Sequence, residues 1–461
     1  MKRLKYYTIF IIFFSFYRPI YSQNIALERL ATEDSILSTT ILEPDNTSFQ
    51  SCGIEAYETG RYADAVTLLE KACKLNPQDK LSKEYLYWSY IFMNRTQSAK
   101  CIYKDLSEIV KSYCNILPKL FSEVFAEGGV LINKAKKIGY TDTTTIEQYS
   151  FDDINGYSQV MLRHDISRRT SIYHGVNYYN ITGREDIDNP FNTIGLGDVF
   201  FKQYGYLANI NIELPSSWNI VVSGTIFKNK NKYYELNNPN EQELNEYEWD
   251  DYIYYETKNK DWYDENEDYF DEIDEKEDVA ENNYTAKIQE HTNYMIEVRA
   301  GKYYKKFGIN VSASYGKAEE TNVLQPGIDM SYFPFSNLNL YSITSIDNTI
   351  YDNTPHWVFQ ESIGAKLHNK IWFEAAYAYG DMQLYHDADL HNIYTMMYKS
   401  KYRISSTFTF LPLENFKILL TYKYMEKKDP LYKIVGYSGD MSIEEQKVNS
   451  HNIILGAKWI F

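Results

Sequence analysis

From Ile138 to Phe461 apolar and polar residues alternate with a period of two, the repeat of a strand whose side chains point to opposite faces of a sheet. In the clearest run Tyr394, Met396, Tyr398, Tyr402, Ile404, Phe408 and Phe410 share one face. Opposite them stand Thr395, Lys399, Lys401, Arg403, Ser405, Thr407 and Thr409. Tyr204 to Leu214, Phe307 to Tyr315 and Phe416 to Tyr424 repeat the pattern, and Trp357, Phe359, Ile363, Ala365 and Leu367 form a face broken only by Glu361. Most runs extend over about ten residues, the length a tilted strand needs to cross a bilayer. Tight connections at Ser167-Arg168-Arg169, Pro215-Ser216-Ser217, Lys305-Lys306, Ser336-Asn337, His368-Asn369-Lys370 and Leu413-Glu414-Asn415 separate longer ones. The longer ones are Gly183 to Asp198, Asn231 to Asn283, Ala318 to Leu324, Asp347 to His356, Gln383 to His391 and Lys428 to Asn449. Alternating short and long turns predict an all-β transmembrane antiparallel barrel over 138–461, with short turns in the periplasm. With Ile138 to Ser150 as the first strand the count is about fourteen; without the pair meeting near Ser336 it is about twelve.

Before residue 131 the periodicity is helical. The segment Phe49 to Pro77, FQSCGIEAYETGRYADAVTLLEKACKLNP, resembles a tetratricopeptide repeat, with Phe49, Gly53, Ala65, Ala72 and Pro77 at the signature positions. In such a repeat the glycine lets two helices approach, the alanines are their small contacts, and the proline stops the second helix. Leu81 to Val110 reads as a degenerate second unit, with Ala99 kept and Tyr87 in place of glycine. Ile116 to Phe125 is expected to cap the stack as a further helix ending at Gly128-Gly129. The resemblance implies a small all-α domain over 46–130 that binds a periplasmic or envelope protein through Tyr57, Tyr85, Tyr90 and Arg95. The alternative is that it braces the barrel mouth. All four cysteines, Cys52, Cys73, Cys101 and Cys114, lie in this part. An exported compartment permits disulfides, and Cys52 with Cys73 is one option beside buried free thiols.

Lys2, Arg3 and Lys5 precede an apolar run from Tyr7 to Phe16, and Ser22 offers a cleavage position before Gln23. This reads as a secretory signal peptide over 1–22, followed by a linker over 23–45. The run is shorter than the roughly 20 residues a membrane helix needs, so an exported chain in a membrane is expected there as a closed barrel. The last strand places Ile453, Leu455, Ala457, Trp459 and Phe461 on one face. It resembles the closing strand of bacterial outer-membrane barrels, whose terminal aromatic is read by the barrel assembly machinery, with Leu455, Trp459 and Phe461 carrying the signal. These features together predict the outer membrane, with the helical domain in the periplasm.

Tyr supplies 45 of 461 residues, an excess suited to aromatic girdles at lipid interfaces. The segment Asn231 to Asn283 holds twenty Asp or Glu against four Lys, an excess of sixteen negative charges equal to the net charge of −16 on the whole chain. Such a density of like charge predicts an extended extracellular loop. The run Asp261 to Asp268 has oxygen ligands for calcium, but its spacing matches no EF-hand loop and lacks the glycine that loop requires. Interleaved with Tyr and Trp, these acids suit polysaccharide, a partner protein or loosely held divalent cations.

Arg163, Glu297, Arg299, Lys366, Glu374, Lys399, Lys401, Arg403, Lys423 and Lys458 fall on the face opposite the lipid and are expected in the lumen. A mainly basic lining favours anionic cargo; the competing expectation is a lumen filled by paired side chains or an inserted loop. His386, Asp387, Asp389 and His391 are the one local group with metal-ligand chemistry, in a stretch expected to be a solvated extracellular turn. No nucleophile elbow, HExxH helix or phosphate loop occurs, so no catalytic residue, metal or cofactor is assigned. No basic aromatic patch points to nucleic acid. The order of leader, repeat (Phe49 to Pro77), opening hairpin (Gly156-Tyr157-Ser158 through Val176-Asn177-Tyr178) and closing Trp459-Ile460-Phe461 resembles the YaiO-type outer-membrane barrels. It is similar, more loosely, to exopolysaccharide exporters that join repeats to a barrel. The resemblance implies export or transport across the outer membrane with partner recruitment. The alternative is a non-conducting surface scaffold displaying the acidic loop.

Overall fold

A computed structural model describes residues 46–114, 119–135, 146–152, 154–188, 193–236, 284–390, 399–413, 415–435 and 440–461. The expected leader 1–22, the linker 23–45, the calcium-like run 261–268 and nearly all of the acidic loop lie outside these residues. Five short helices come first: α1 (Asn46–Glu58), α2 (Tyr62–Leu75), α3 (Lys80–Phe92), α4 (Thr96–Ile102) and α5 (Glu108–Tyr113). Then follow β1 (Glu123–Ala135), β2 (Ile146–Asp152), β3 (Ile154–Asp165), β4 (Thr170–Asp188), β5 (Thr193–Leu214), β6 (Trp218–Leu236), β7 (Tyr284–Tyr304) and β8 (Phe307–Ala318). The remaining strands are β9 (Thr321–Tyr332), β10 (Leu340–Tyr351), β11 (Thr354–His368), β12 (Ile371–Gly380), β13 (Lys399–Leu413), β14 (Phe416–Val435) and β15 (Asp440–Ile460).

Strands β3 to β15 pair in chain order, and β1 pairs antiparallel with both β15 and β3, so fourteen strands close a barrel with no free edge. β2 stands outside the ring and pairs with the far ends of β4 and β14. The expected fold class is therefore the observed one, but the first stave differs. It is Glu123–Ala135, not Ile138 to Ser150, and it occupies ground expected to be helical up to Gly129. Gly128 and Gly129 lie inside this strand, where a Cβ on Gly129 would meet Ile454 Cγ1 at 2.8 Å and the Ile453 carbonyl at 2.9 Å. They admit a close strand rather than end a helix.

The long connections also differ. β8 and β9 are joined through Glu319-Glu320, and β10 and β11 through Asp352-Asn353, with positive φ at all four residues. These are two-residue hairpin turns of the kind whose twist matches the strands, in place of the loops expected at Ala318 to Leu324 and Asp347 to His356. Within the expected loops 183–198 and 428–449, the described residues are strand: β4 runs to Asp188, β5 starts at Thr193, β14 runs to Val435 and β15 starts at Asp440. β14 and β15 have 20 and 21 residues, about twice what a bilayer crossing needs.

On the outer wall apolar bands run between aromatic residues. Along β7, Tyr294, Ile296, Val298 and Tyr304 are exposed; the two tyrosines are about 33 Å apart along the strand. Tilt reduces that to roughly the 25 Å apolar height of a membrane barrel. Phe307 and Tyr332 face each other across β8 and β9 with ring centroids 5.1 Å apart. Ile453, Leu455, Trp459 and Phe461 are exposed on the same outer surface.

The helices form two successive helix–turn–helix pairs. Their core is Ala56, Ala65, Val66, Leu69, Leu86, Tyr87, Tyr90 and Ala99, the residues of the apolar stripes. Asp79 caps α3 by accepting from Ser82 N at 3.2 Å. A Cβ on Gly53 would sit 2.7 Å from Leu69 Cδ2, so glycine allows α1 to close on α2. The four cysteines are free thiols.

Candidate functional site

The interior of the barrel is the candidate site, and two features built from connections control it. The first is the segment after β12. Gly380 adopts φ 148° with its Cα against the Trp357 carbonyl, where a Cβ would come within 2.0 Å. Only glycine accepts both conditions, and here the chain leaves the wall and turns inward. Met382, Leu384, Tyr385, His386 and Leu390 are all buried. The stretch expected as a solvated extracellular turn, Gln383 to Leu390, is thus folded into the lumen; His391 lies outside the described residues. Among the described residues no group of His, Cys, Asp and Glu could hold a metal ion.

Polar contacts fasten this segment to one arc of the wall. Arg403 donates to both carboxylate oxygens of Asp387 at 2.9 and 3.1 Å and to Gln360 Oε1 at 2.7 Å. Gln325 donates to the His386 carbonyl at 3.0 Å while its Oε1 accepts from His386 N at 3.2 Å. Thr349 donates to the same Oε1 at 3.0 Å, and Tyr385 OH donates to Asp347 at 3.2 Å. Ser314 bonds the His386 ring, and Glu297, itself paired with Arg299 at 3.1 Å, lies 3.6 Å from His386 Nδ1. On the other arc Leu384 and Leu390 pack with Met161, Leu207, Met295, Ala318 and Val323. The segment therefore bridges the lumen, with its polar contacts on β7–β13 and its apolar ones on β3–β9.

The second feature is the helical cap on the short-turn end. Gln97 donates to the Arg168 carbonyl at 2.8 Å, and Lys100 pairs with Asp165 at 2.5 Å. Arg95 donates to Ser217 at 2.9 Å and Ser98 to Glu213 at 3.0 Å. Lys305 N donates to Thr67 Oγ1 at 3.0 Å, Ala63 N to the Ser336 carbonyl at 2.7 Å, and Asn337 to the Gly60 carbonyl at 2.9 Å. These turns serve eight consecutive strands, β3 to β10. Burial pulls the Lys100 ammonium below the usual lysine range, with Asp165 opposing the shift. Burial likewise pushes the Cys73 thiol up to about 11.

This docking corrects the expected contact face. Arg95 lies 4.7 Å from the Tyr90 ring and 5.3 Å from Tyr303 of the barrel, and Tyr90 is buried with its hydroxyl donating to Glu70 at 2.7 Å. Both are taken up within the chain. Tyr57 and Tyr85 are partly buried and meet edge to face at 5.1 Å, away from those turns.

The ten residues expected in the lumen divide. Arg163 donates to Gln97 at 3.0 Å and Ser171 at 3.2 Å, joining cap and wall. Glu297, Arg299 and Arg403 belong to the plug network. Glu374 accepts from Tyr341 OH at 2.6 Å, and Lys366 lies over the Trp372 ring at 5.3 Å. Lys458 pairs with Glu123 at 2.5 Å, and Lys423 is partly buried on the same inner face of β14 as Lys417. Lys401 departs from the expectation: a bulge between Ser400 and Tyr402 breaks the alternation there and leaves it exposed. The Lys399 side chain lies outside the described residues. Sequence reasoning passed over Gln325, Asp347, Tyr385 and Lys417. The one available signal was Met382, Leu384 and Leu390, apolar residues in a stretch otherwise resembling a surface turn.

No protein-family model matches the chain, and no curated protein matches its sequence. Among solved structures it is similar to a FadL homologue of Pseudomonas aeruginosa, at 8% identity and TM-score 0.42, covering 75% of this chain and 91% of that one. It is also similar to the toluene transporter TodX of Pseudomonas putida (7%, TM-score 0.41, 74% and 90%) and to the toluene transporter TbuX of Ralstonia pickettii (6%, TM-score 0.43, 74% and 90%). The architecture described above rests on this chain's own strand ladder.

Proposed function

We propose that this chain is a bacterial outer-membrane barrel that transports solutes through a lumen held shut by the segment 381–390. One observation carries the reading: the obstruction is a single connection, fastened by the Arg403–Asp387 pair and by Gln325 and Asp347, and not the wall itself. Its fastenings are hydrogen bonds and one ion pair that water can replace at modest net cost, with Met382, Leu384, Tyr385 and Leu390 as its apolar contacts, so such a plug is able to leave where the hydrogen-bonded wall is not. The apolar bands bounded by aromatics support a membrane setting, and short turns beneath the cap support a periplasmic position for the helices. A leader cleaved near Ser22, outer-membrane lipid around the belt, and Leu455, Trp459 and Phe461 as the signal for the barrel assembly machinery belong to the same proposal.

The repeat reading of the helices draws support from Gly53 against Leu69 and from buried Ala65 and Ala72. With the order of helices before barrel, it is the point of likeness to YaiO-type barrels. In this reading Tyr57 and Tyr85 meet an envelope partner, and the acidic loop 231–283 meets polysaccharide or divalent cations outside. The test is conductance in planar bilayers of the full chain and of a variant with residues 382–390 replaced by a Gly-Ser linker. The native chain is expected to be closed or to open briefly, and the variant to conduct steadily. A variant as silent as the native chain would overturn transport and favour the non-conducting scaffold.

A further inference from the structure

Among the described residues the hydrogen bonds of the cap go to the turns of β3 to β10, and beside them lies a cavity of about 720 Å³. Its roof is the pair of helical turns carrying Tyr62 and Phe92, whose rings stack at 4.5 Å. Its floor is the inner wall of β10 to β14, where Tyr341 and Trp372 face it together with Lys366 and Lys417. Four basic residues and, among the described residues, no acidic one line this space. Arg95 is held by serines and rings, Lys305 lies over the Tyr304 ring at 5.6 Å on an exposed turn, and Lys366 lies over the cavity's own Trp372 ring at 5.3 Å. Lys366 and Lys417 form no ion pair among the described residues, whereas Lys458 beside them is neutralised by Glu123. Two cations without an ion pair of their own among the described residues, inside low-dielectric walls, raise the potential of the cavity.

From this we propose that the mouth cavity is a binding site for a small amphipathic anion: a flat, apolar, preferably aromatic body bearing one carboxylate, sulfonate or phosphate. Volume, aromatic lining and a few polar groups match what small-molecule sites require. Stacked and edge-on rings take the body; a lysine ammonium, a compact charge on a flexible stem, follows an anionic group of any of these geometries. The position beneath the plug makes this the compartment a solute occupies on the short-turn side. Binding there does not depend on whether the lumen opens, so the site stands or falls separately from transport.

The full chain in zwitterionic nanodiscs, titrated with 1-anilinonaphthalene-8-sulfonate and with neutral N-phenyl-1-naphthylamine, tests the site. The two probes differ by the sulfonate. The anion is expected to bind roughly tenfold more tightly than the neutral probe, the effect of one charge-assisted contact. Lys366→Gln with Lys417→Gln should remove that advantage and leave the neutral probe within about twofold. Leu411→Trp, which fills the cavity, should weaken both probes, with the folded barrel verified by its heat-modifiable gel migration. Phenyl phosphate should displace the anionic probe where inorganic phosphate does not. Equal affinity for the two probes, an unchanged double variant, or a signal no larger than that of empty nanodiscs would each overturn the proposal. Displacement by inorganic phosphate alone would reduce the site to simple anion attraction and also defeat it.

Discussion

Lys100 and Asp165 are both buried at the junction of α4 with the β3–β4 turn. Taking a charge out of water costs several kcal/mol unless its partner stays, so these side chains constrain how cap and barrel meet more than they stabilise either. Lys100→Met leaves buried Asp165 with only the longer Arg163 contact at 3.8 Å and the Lys119 N–H, and is expected to loosen the cap by about 3 kcal/mol. Lys100→Met with Asp165→Leu should recover most of that loss. Protease cleavage within residues 46–114 at rising temperature, in the barrel reconstituted in lipid, measures both. Neither residue stood out in the sequence, because a lysine and an aspartate 65 positions apart carry no local sign that they will be buried together. Arg163 was assigned to the inner face by alternation alone; its partner Gln97 was not legible, since it arrives from another element.

Strand identity was legible where both faces are strongly marked. Along β7, β8, β13, β14 and β15 the exposed Ile, Val, Tyr and Phe are the ones that periodicity places outward, because lipid selects that face uniformly. β1 escaped for the opposite reason: Gly128 and Gly129 interrupt its outer and inner faces, and Phe125 and Leu131 put apolar residues on the inner face as well. The segment after β12 escaped because a loop that folds inward has no period to detect. Its geometry hinges on Gly380. Gly380→Ala forces a Cβ onto the Trp357 carbonyl and strains a positive φ, so the plug is expected to lose its seat and the variant to open more often in bilayers. Unchanged opening would show that the anchor lies in Arg403 and Gln325 alone.

At the scale of the molecule the fourteen strands, the aromatic-bounded bands and the closed ladder argue for a lipid-facing wall. Val298 lies near the middle of its band, between Tyr294 and Tyr304. Val298→Arg is expected to destabilise the barrel by about 2–4 kcal/mol, and Val298→Leu to change it little, as read from urea unfolding in lipid vesicles. An equal effect from both would argue against lipid at that depth.

Periodicity along the chain, on its own, determined the barrel class, the outward register of the last strand and the presence of helices before it, and came to a count of about fourteen with one stave misplaced. Those properties follow from how each residue meets one of two solvents, and that preference is written locally. What enters the lumen, where the cap docks and which lysines form no ion pair among the described residues were decided only by the tertiary structure. Each depends on residues far apart in the chain, brought together across a lumen or around a rim, and no local pattern records such a meeting.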